Sequence, residues 1–436
     1  SMMLKGDLSA VEACFNTREE EIRKNTQSDD IELVKKIGLL RWMERGSLGL
    51  DIQNLQTAIQ GFENAETLLE IRQENSQAAD LFGKLTSFAA ETVSGNEEFQ
   101  EYEGEGFEKV LMLNYKSIAY LLNGERKAYN TTRRAIDWQN MEKVKFQDEL
   151  SKADSDREKE NVSSEDAGWQ ESYRQYDAIA EKVPSAYVNP FGYYIAGVIQ
   201  EFESKADRSL RDNARIAYEK ALELNPQSSV IASSLAAVKQ HYDSNKRLVH
   251  IVAADGFVPE KKMLVYNIPT RNGMVPVKLP IYEPVDTRVA RIEVHSSGGK
   301  KLAELATVAD VEAITMRHQK DSEGFRALRV TLSIARAVGV NEATKSLGIF
   351  GNIVSGAVNS MAAPDMRSWM SLPASLQAAR LTVSKNTTEL KLVSYDSKGR
   401  RMGTKTVKLT PSSDNFIYAR SLDEQLYVNV SKALWL

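Results

Sequence analysis

Residues 42–70 read WMERGSLGLDIQNLQTAIQGFENAETLLE, and the spacing inside this stretch decides how the first half of the chain folds. Trp42 is followed by Gly46, Ala58, Phe62 and Ala65. Residues three, four and seven apart share one face of a helix. The stretch therefore predicts two antiparallel helices joined by a turn. Gly46, Ala58 and Ala65 let their backbones approach closely, and Trp42 and Phe62 fill the remaining space.

These offsets match the 34-residue tetratricopeptide unit, which cannot bury its apolar face alone and so predicts neighbours. A second unit spans 107–138. Val110, Leu113, Tyr115, Ile118, Leu121 and Leu122 pack one helix, and Asn123-Gly124 makes the turn. Ala128 and Ala135 repeat the seven-residue spacing of Ala58 and Ala65, with Thr132 where the aromatic would stand. A third spans 187–226. Its first helix starts after Asn189-Pro190 and carries Gly197; its second carries Ala214, Tyr218 and Ala221 and closes on Pro226. The turn between them is longer than the consensus. Residues 228–243 read as a capping helix. Upstream, residues 4–36 are helical, and Leu8, Val11, Phe15 and Ile22 mark their inner side. Cys14 is the chain's one cysteine, so no intramolecular disulfide forms. It reads as a small buried apolar side chain. The leading Ser1 reads as a cloning remnant, which leaves room for a targeting segment ahead of it.

Between these units, residues 71–106 break the alternation. Glu97 to Glu105 form an acidic stretch punctuated by Gly104 and Gly106, read as a solvated connection or as an ordered loop at a binding face.

At about residue 247 the apolar period changes from 3.6 to 2. LVHIVAADG (248–256), KMLVYNIPT (262–270), GMVPVKLPIYEP (273–284) and ARIEVHSSGGKKLAEL (290–305) read as strands. A helical run from Val308 to Val340 interrupts them. Residues 346–364 contain no charge, but their Asn, Gly, Ser and Pro suit a buried or partner-facing helix better than a membrane span. Strands resume at 378–384, 388–396, 404–409, 415–420 and 425–429. The expected fold is thus multidomain, α then α+β. A right-handed tetratricopeptide-like solenoid at 1–246 precedes a β-sandwich-like domain at 247–436, with a helical insertion at about 308–364.

Three stretches carry a resemblance. EYEGEGFEKVLMLNYKSIAYLLNGERKAYNTTRRAIDWQ (101–139), NPFGYYIAGVIQEF (189–202) and PDMRSWMSLPASLQAARL (364–381) stand in an order and spacing similar to those of a family of bacterial cell-envelope lipoproteins. In that family a tetratricopeptide-like half precedes a β-rich half. The resemblance covers most of the chain. It implies a lipid-anchored, periplasm-facing lipoprotein of the outer membrane, with a part in envelope or peptidoglycan assembly. The family has no agreed catalytic residues, so none carries over.

The residues themselves offer no reaction chemistry. His241, His250, His295 and His318 fall in four different elements; only His250 and His295, each on a strand, are placed to approach across a sheet. The chain has no GxSxG, GxGxxG or GxxxxGK[ST] motif. Gly104-Glu105-Gly106 precedes a helix, but its acidic neighbours would repel phosphate. With 56 basic and 60 acidic residues, no basic stripe invites nucleic acid. No enzyme, cofactor or metal is implied. Asp365, Arg367, Trp369 and Pro373 form the candidate interface or hinge: Arg367 suits a fork-like pair with a carboxylate, and Trp369 anchors the turn. The expected role is a non-enzymatic scaffold whose concave groove holds a protein partner. The alternatives are a carbohydrate or peptidoglycan reader and, behind it, a hydrolase.

Overall fold

A computed structural model describes residues 5–24, 30–83, 101–159, 176–270, 273–322 and 365–434. Helices come first and sheets follow. The helices are α1 (Leu8–Lys24), α2 (Asp30–Ile37), α3 (Leu39–Asp51), α4 (Leu55–Gly83), α5 (Gly106–Leu122), α6 (Lys127–Lys159), α7 (Phe191–Ser204), α8 (Leu210–Leu224) and α9 (Ser229–Val238). Pairing is between neighbours in sequence: α3 with α4, α5 with α6, α7 with α8.

Each pair closes on a seam of small residues. Trp42, Ala58, Phe62 and Ala65 are buried, as are Ala128 and Ala135 in the second pair and Ala214, Tyr218 and Ala221 in the third. Pro226 is exposed just past the end of α8. A Cβ on Gly46 would run into the Phe62 ring, and one on Gly197 would lie 2.7 Å from the Tyr218 ring. Glu66 of α4 ties the first pair to the second. It accepts from Lys116 of α5 and, at 2.7 Å, from Arg134 of α6.

The strands are β1 (Lys246–Asp255), β2 (Glu260–Thr270), β3 (Gly273–Glu283), β4 (Val289–Ser296), β5 (Lys301–Glu304), β6 (Ala306–Asp310), β7 (Ser375–Ser384), β8 (Glu389–Asp396), β9 (Arg401–Lys408), β10 (Asn415–Leu422) and β11 (Gln425–Val430). They form a five-stranded sheet, β11-β10-β1-β7-β6, a four-stranded sheet, β5-β4-β8-β9, and a separate β2–β3 ribbon. Only the β1–β10 pair in the larger sheet is parallel.

The side-chain period of two explains the layering. Val249, Ile251 and Ala253 of β1 face the four-stranded sheet, where they join Ile292, Val294, Leu390 and Leu392 in one core. Leu248, Val252 and Ala254 face the other way and share a second core with the helices. Strand β1 is buried on both sides, which is why its sequence is an almost unbroken apolar run. The order of layers is helices, five-stranded sheet, four-stranded sheet.

This layering overturns one expectation. The inner helices do not line an open groove, because the chain's own sheet covers them. Every residue of α5 except Lys109 is buried. Tyr115 of α5 packs edge-on against Trp369 and against Tyr418 of β10, with ring centroids 5.8 and 6.2 Å away.

Other readings change too. Cys14 is exposed, because α1 packs through a narrow stripe, Leu8, Val11 and Phe15, against Leu422 and Tyr427. Residues 308–310 belong to strand β6, and the helix that follows, α10 (Val311–Asp321), starts only where Asp310 caps it through Ala313 N. The rest of the expected helical run, 323–340, and the reading of 346–364 lie outside the described residues. Among those described, no helix is long and apolar enough to cross a membrane.

Candidate functional site

The turn at 365–373 is where the layers meet. It leaves no strand of its own, yet Ser368, Trp369, Ser371, Leu372 and Pro373 are buried. Asp365 and Arg367 are exposed and grip each other: Arg367 Nε and Nη2 each donate to the Asp365 carboxylate at 2.8 Å. Arg367 also lies over the Tyr102 ring at 5.5 Å.

Two carboxylates reach the turn from the helices. Glu44 of α3 accepts from Met370 N at 2.7 Å. Glu108 of α5 accepts from Trp369 N at 2.9 Å and from the Tyr102 hydroxyl. Trp369 Nε1 donates to Ser47 Oγ at 3.1 Å and Ser371 Oγ at 3.0 Å. A backbone segment without a ladder has orphan N–H groups, and burial demands partners for them. The helices supply those partners as side chains. Met370, in contrast, is 63% exposed.

Glu105 caps α5 in a reciprocal capping box with Glu108. Its carboxylate also meets Lys261 of the ribbon at 3.2 Å and His318 of α10 at 3.0 Å. The acidic connection at 101–105 is therefore an ordered junction. It already fills the helix N-terminus with carboxylates, so an anion finds no vacancy there.

Burial alone would raise the Glu105 carboxyl, but His318 and Lys261 hold it down at about 2. Glu108 goes the other way, raised by burial and by the charge of Glu105. Glu44 is pushed up to about 7 by burial, which outweighs its hydrogen bonds to Ser371 and Met370. Two neighbouring carboxyls with opposed shifts are a pattern seen at acid–base sites. Here each is spent on a structural partner.

The Glu44 shift makes a pH prediction. The folded carboxyl keeps its proton to about 7, whereas an unperturbed one ionises near 4.5. The folded chain binds the extra proton in between, so Glu44 opposes folding increasingly as pH rises through that window. Glu44→Gln retains an acceptor for Met370 N and removes the charge. Its thermal midpoint, relative to wild type, is expected to rise between pH 5 and pH 8. A constant difference across that range would exclude the effect.

Two further ties join the helices to the sheet. Glu201 of α7 is fully buried. Its Oε1 accepts from Arg380 of β7 at 2.7 Å; its Oε2 accepts from Tyr218 at 2.6 Å and meets His250 Nε2 of β1 at 3.2 Å. His250 and Arg380 stand directly opposite each other in the ladder, both on the helix-facing side. Burial would raise Glu201, yet His250 and Arg380 draw it down to about 2. Burial lowers His250 against the charge of Glu201, and because a carboxylate only accepts, Nε2 is the donor between them. Asp51 of α3 accepts from Tyr418 Oη at 2.9 Å and pairs with Arg420 of β10 at 3.4 Å. Burial pushes Asp51 up to about 6 despite that cation. Arg420 in turn donates to Ser371 O at 3.2 Å, which links this tie to the turn.

The sequence reading named Asp365, Arg367, Trp369 and Pro373, and the fold brings these together. It did not name Glu44, Glu108, Asp51, Glu201, Arg380 or Arg420. A signal was present: Glu201 follows VIQ in the apolar phase of its helix, and His250 interrupts an apolar strand. His250 and His295 stand apart, one facing the helices and the other on β4 of the second sheet, beside Glu293 at 2.7 Å. Among the described residues, no group of three His, Cys, Asp or Glu could hold a metal ion. Comparisons with protein-family models, with curated proteins and with solved structures found no match.

Proposed function

We propose that the protein is a non-enzymatic protein–protein interaction scaffold of the bacterial cell envelope, built on a right-handed tetratricopeptide-like stack of helix pairs. The observation that carries the reading is where the polar groups at the layer boundary go. Glu44, Glu108, Asp51 and Glu201 all leave the helices to hold the sheet or the turn beside it. Polar groups bonded across layers in this way, two of them as ion pairs with Arg420 and Arg380, favour one arrangement over others. The result is a frame with its inner face locked and its outer helices turned to solvent.

Support for the stack comes from three successive pairs closed on small-residue seams. Support for the envelope comes from the likeness of 101–139, 189–202 and 364–381 to a lipoprotein family. In this reading a lipid anchor outside the described residues attaches the protein, and its partner is another protein.

Site-specific photo-crosslinking in intact cells tests it. A photoreactive residue replaces Gln60 on α4, Arg133 on α6 or Ile216 on α8, all exposed. A discrete heterologous adduct is expected from at least one outer helix. Its absence from all three positions would end the scaffold reading.

A further inference from the structure

The β2–β3 ribbon stands apart from both sheets, so each of its strands has an edge with no strand beside it among the described residues. A two-stranded ribbon is marginal on its own in water, and native edges are normally guarded. The β6 edge shows such a guard: Asn225 and Ser228 side chains donate to Val308 O and Thr307 O at 3.0 and 2.7 Å.

The two edges of the ribbon differ. Proline has no N–H to give to a ladder, so Met263↔Pro280, Asn267↔Pro276 and Pro269↔Met274 are pairs whose main-chain groups point away from the ribbon. All three fall at odd positions of β2 and even positions of β3, so those positions carry the outward groups along its whole length. Tyr282 agrees with this phase, because its N–H leaves the ribbon and donates to the Gln319 side chain of α10. The β3 edge is therefore closed: Pro276 and Pro280 offer no donor, and that of Tyr282 is taken. The β2 edge is open. Met263, Val265 and Asn267 each turn an N–H and a carbonyl outward, and no described strand takes them up. Met263 and Val265 are also 39% and 51% exposed, apolar side chains beside an unused edge.

We infer that β2 pairs antiparallel with β2 of a second copy, across a two-fold axis at Val265, to make one four-stranded sheet in the order β3-β2-β2-β3. Closure selects this occupant. A foreign strand laid on β2 would bring a new open edge of its own. A second copy leaves β3 outermost on both sides, the edge that prolines already close, so assembly stops at two. The charges suit the same pairing. Glu260, Lys261 and Lys262 sit together at the start of β2, and no charge follows through Thr270. Antiparallel pairing about Val265 sets those three opposite Ile268, Pro269 and Thr270 of the other copy. Parallel pairing in register would stack lysine on lysine, which is unfavourable. Val265 meets its own counterpart, and an exposed apolar side chain from each copy leaves water.

Sedimentation equilibrium on the full chain, from micromolar to millimolar concentration, tests the pairing. A monomer–dimer equilibrium with no larger species is expected. Val265→Pro removes the central outward N–H and leaves the β2–β3 ladder its bonds. Val265→Lys sets two like charges across the axis. Each should weaken dimerisation by about tenfold or more. Lys278→Pro, the same kind of change on the closed β3 edge, should leave it unaltered. Val265 is exposed, so the lysine variant keeps the test sound if the proline variant fails to fold, and an unshifted thermal midpoint checks it. A wild type that stays monomeric throughout leaves the edge to a foreign strand and overturns the inference. So does a dimer that Val265→Lys forms equally well, which would use another surface. Oligomers that keep growing with concentration overturn it too, because they require an edge left open.

Discussion

Glu201→Ala is expected to lower stability by about 3–5 kcal/mol, the usual cost of leaving a buried charge without its partner. The carboxylate is the common acceptor for Arg380, Tyr218 and His250. Its loss strands a guanidinium that is 10% exposed, between a helix and a sheet. Arg380 has no second carboxylate in the described network to turn to. A compensated variant separates this mechanism from simple loss of packing. Glu201→Leu with Arg380→Met replaces the ion pair by apolar groups of similar reach, and such swaps are often neutral. The double variant should recover most of the loss in a urea titration. If it is as unstable as Glu201→Ala, the carboxylate acts through shape and not through charge.

Glu201 and Glu105 together set an acid limit. Glu201 and Glu105 are both held at about 2 in the fold, against 4.5 unperturbed. Their contribution is present above that upper value and disappears as pH falls through the lower one.

Gly61→Val is expected to cost about 3 kcal/mol, the upper end for overpacking a tight seam. A Cβ on Gly61 would lie 2.7 Å from Gly46 N and 2.8 Å from Trp42 O. Both atoms are backbone, so neither can swing aside, and relief requires α3 and α4 to separate. The intrinsic helix preference for valine over glycine returns only a few tenths of that. Gly298→Ala is the control: its Cβ would meet nothing nearer than Ser296 Oγ at 3.8 Å. It should stay within about 0.5 kcal/mol of wild type. Thermal melts of the two variants decide the point, and a Gly61→Val midpoint equal to that of Gly298→Ala would refute the close approach.

Gly61 also shows how far the seam was readable. The residues at Trp42, Gly46, Ala58, Phe62 and Ala65 declared a helix pair, because all their contacts lie within one short unit. Gly61 escaped notice, since a single glycine in a helical pattern carries no signal of what it faces. The 365–373 turn was visible as an unusual cluster. Its partners Glu44 and Glu108 were not, because a surface-like glutamate in a helix looks the same whether it meets water or a buried N–H.

The chain in isolation thus determined its local units: helix pairs with small-residue seams, then strands that begin near residue 247 where the apolar period drops to two. Tertiary structure alone decided what covers the inner helices and which charges meet. Arg380 reaches Glu201 across 179 residues, Trp369 reaches Glu108 across 261, and Tyr418 reaches Asp51 across 367. Periodicity reports only which side of an element is buried. It holds no record of the partner, because contacts this distant in sequence impose no repeat on the residues that make them.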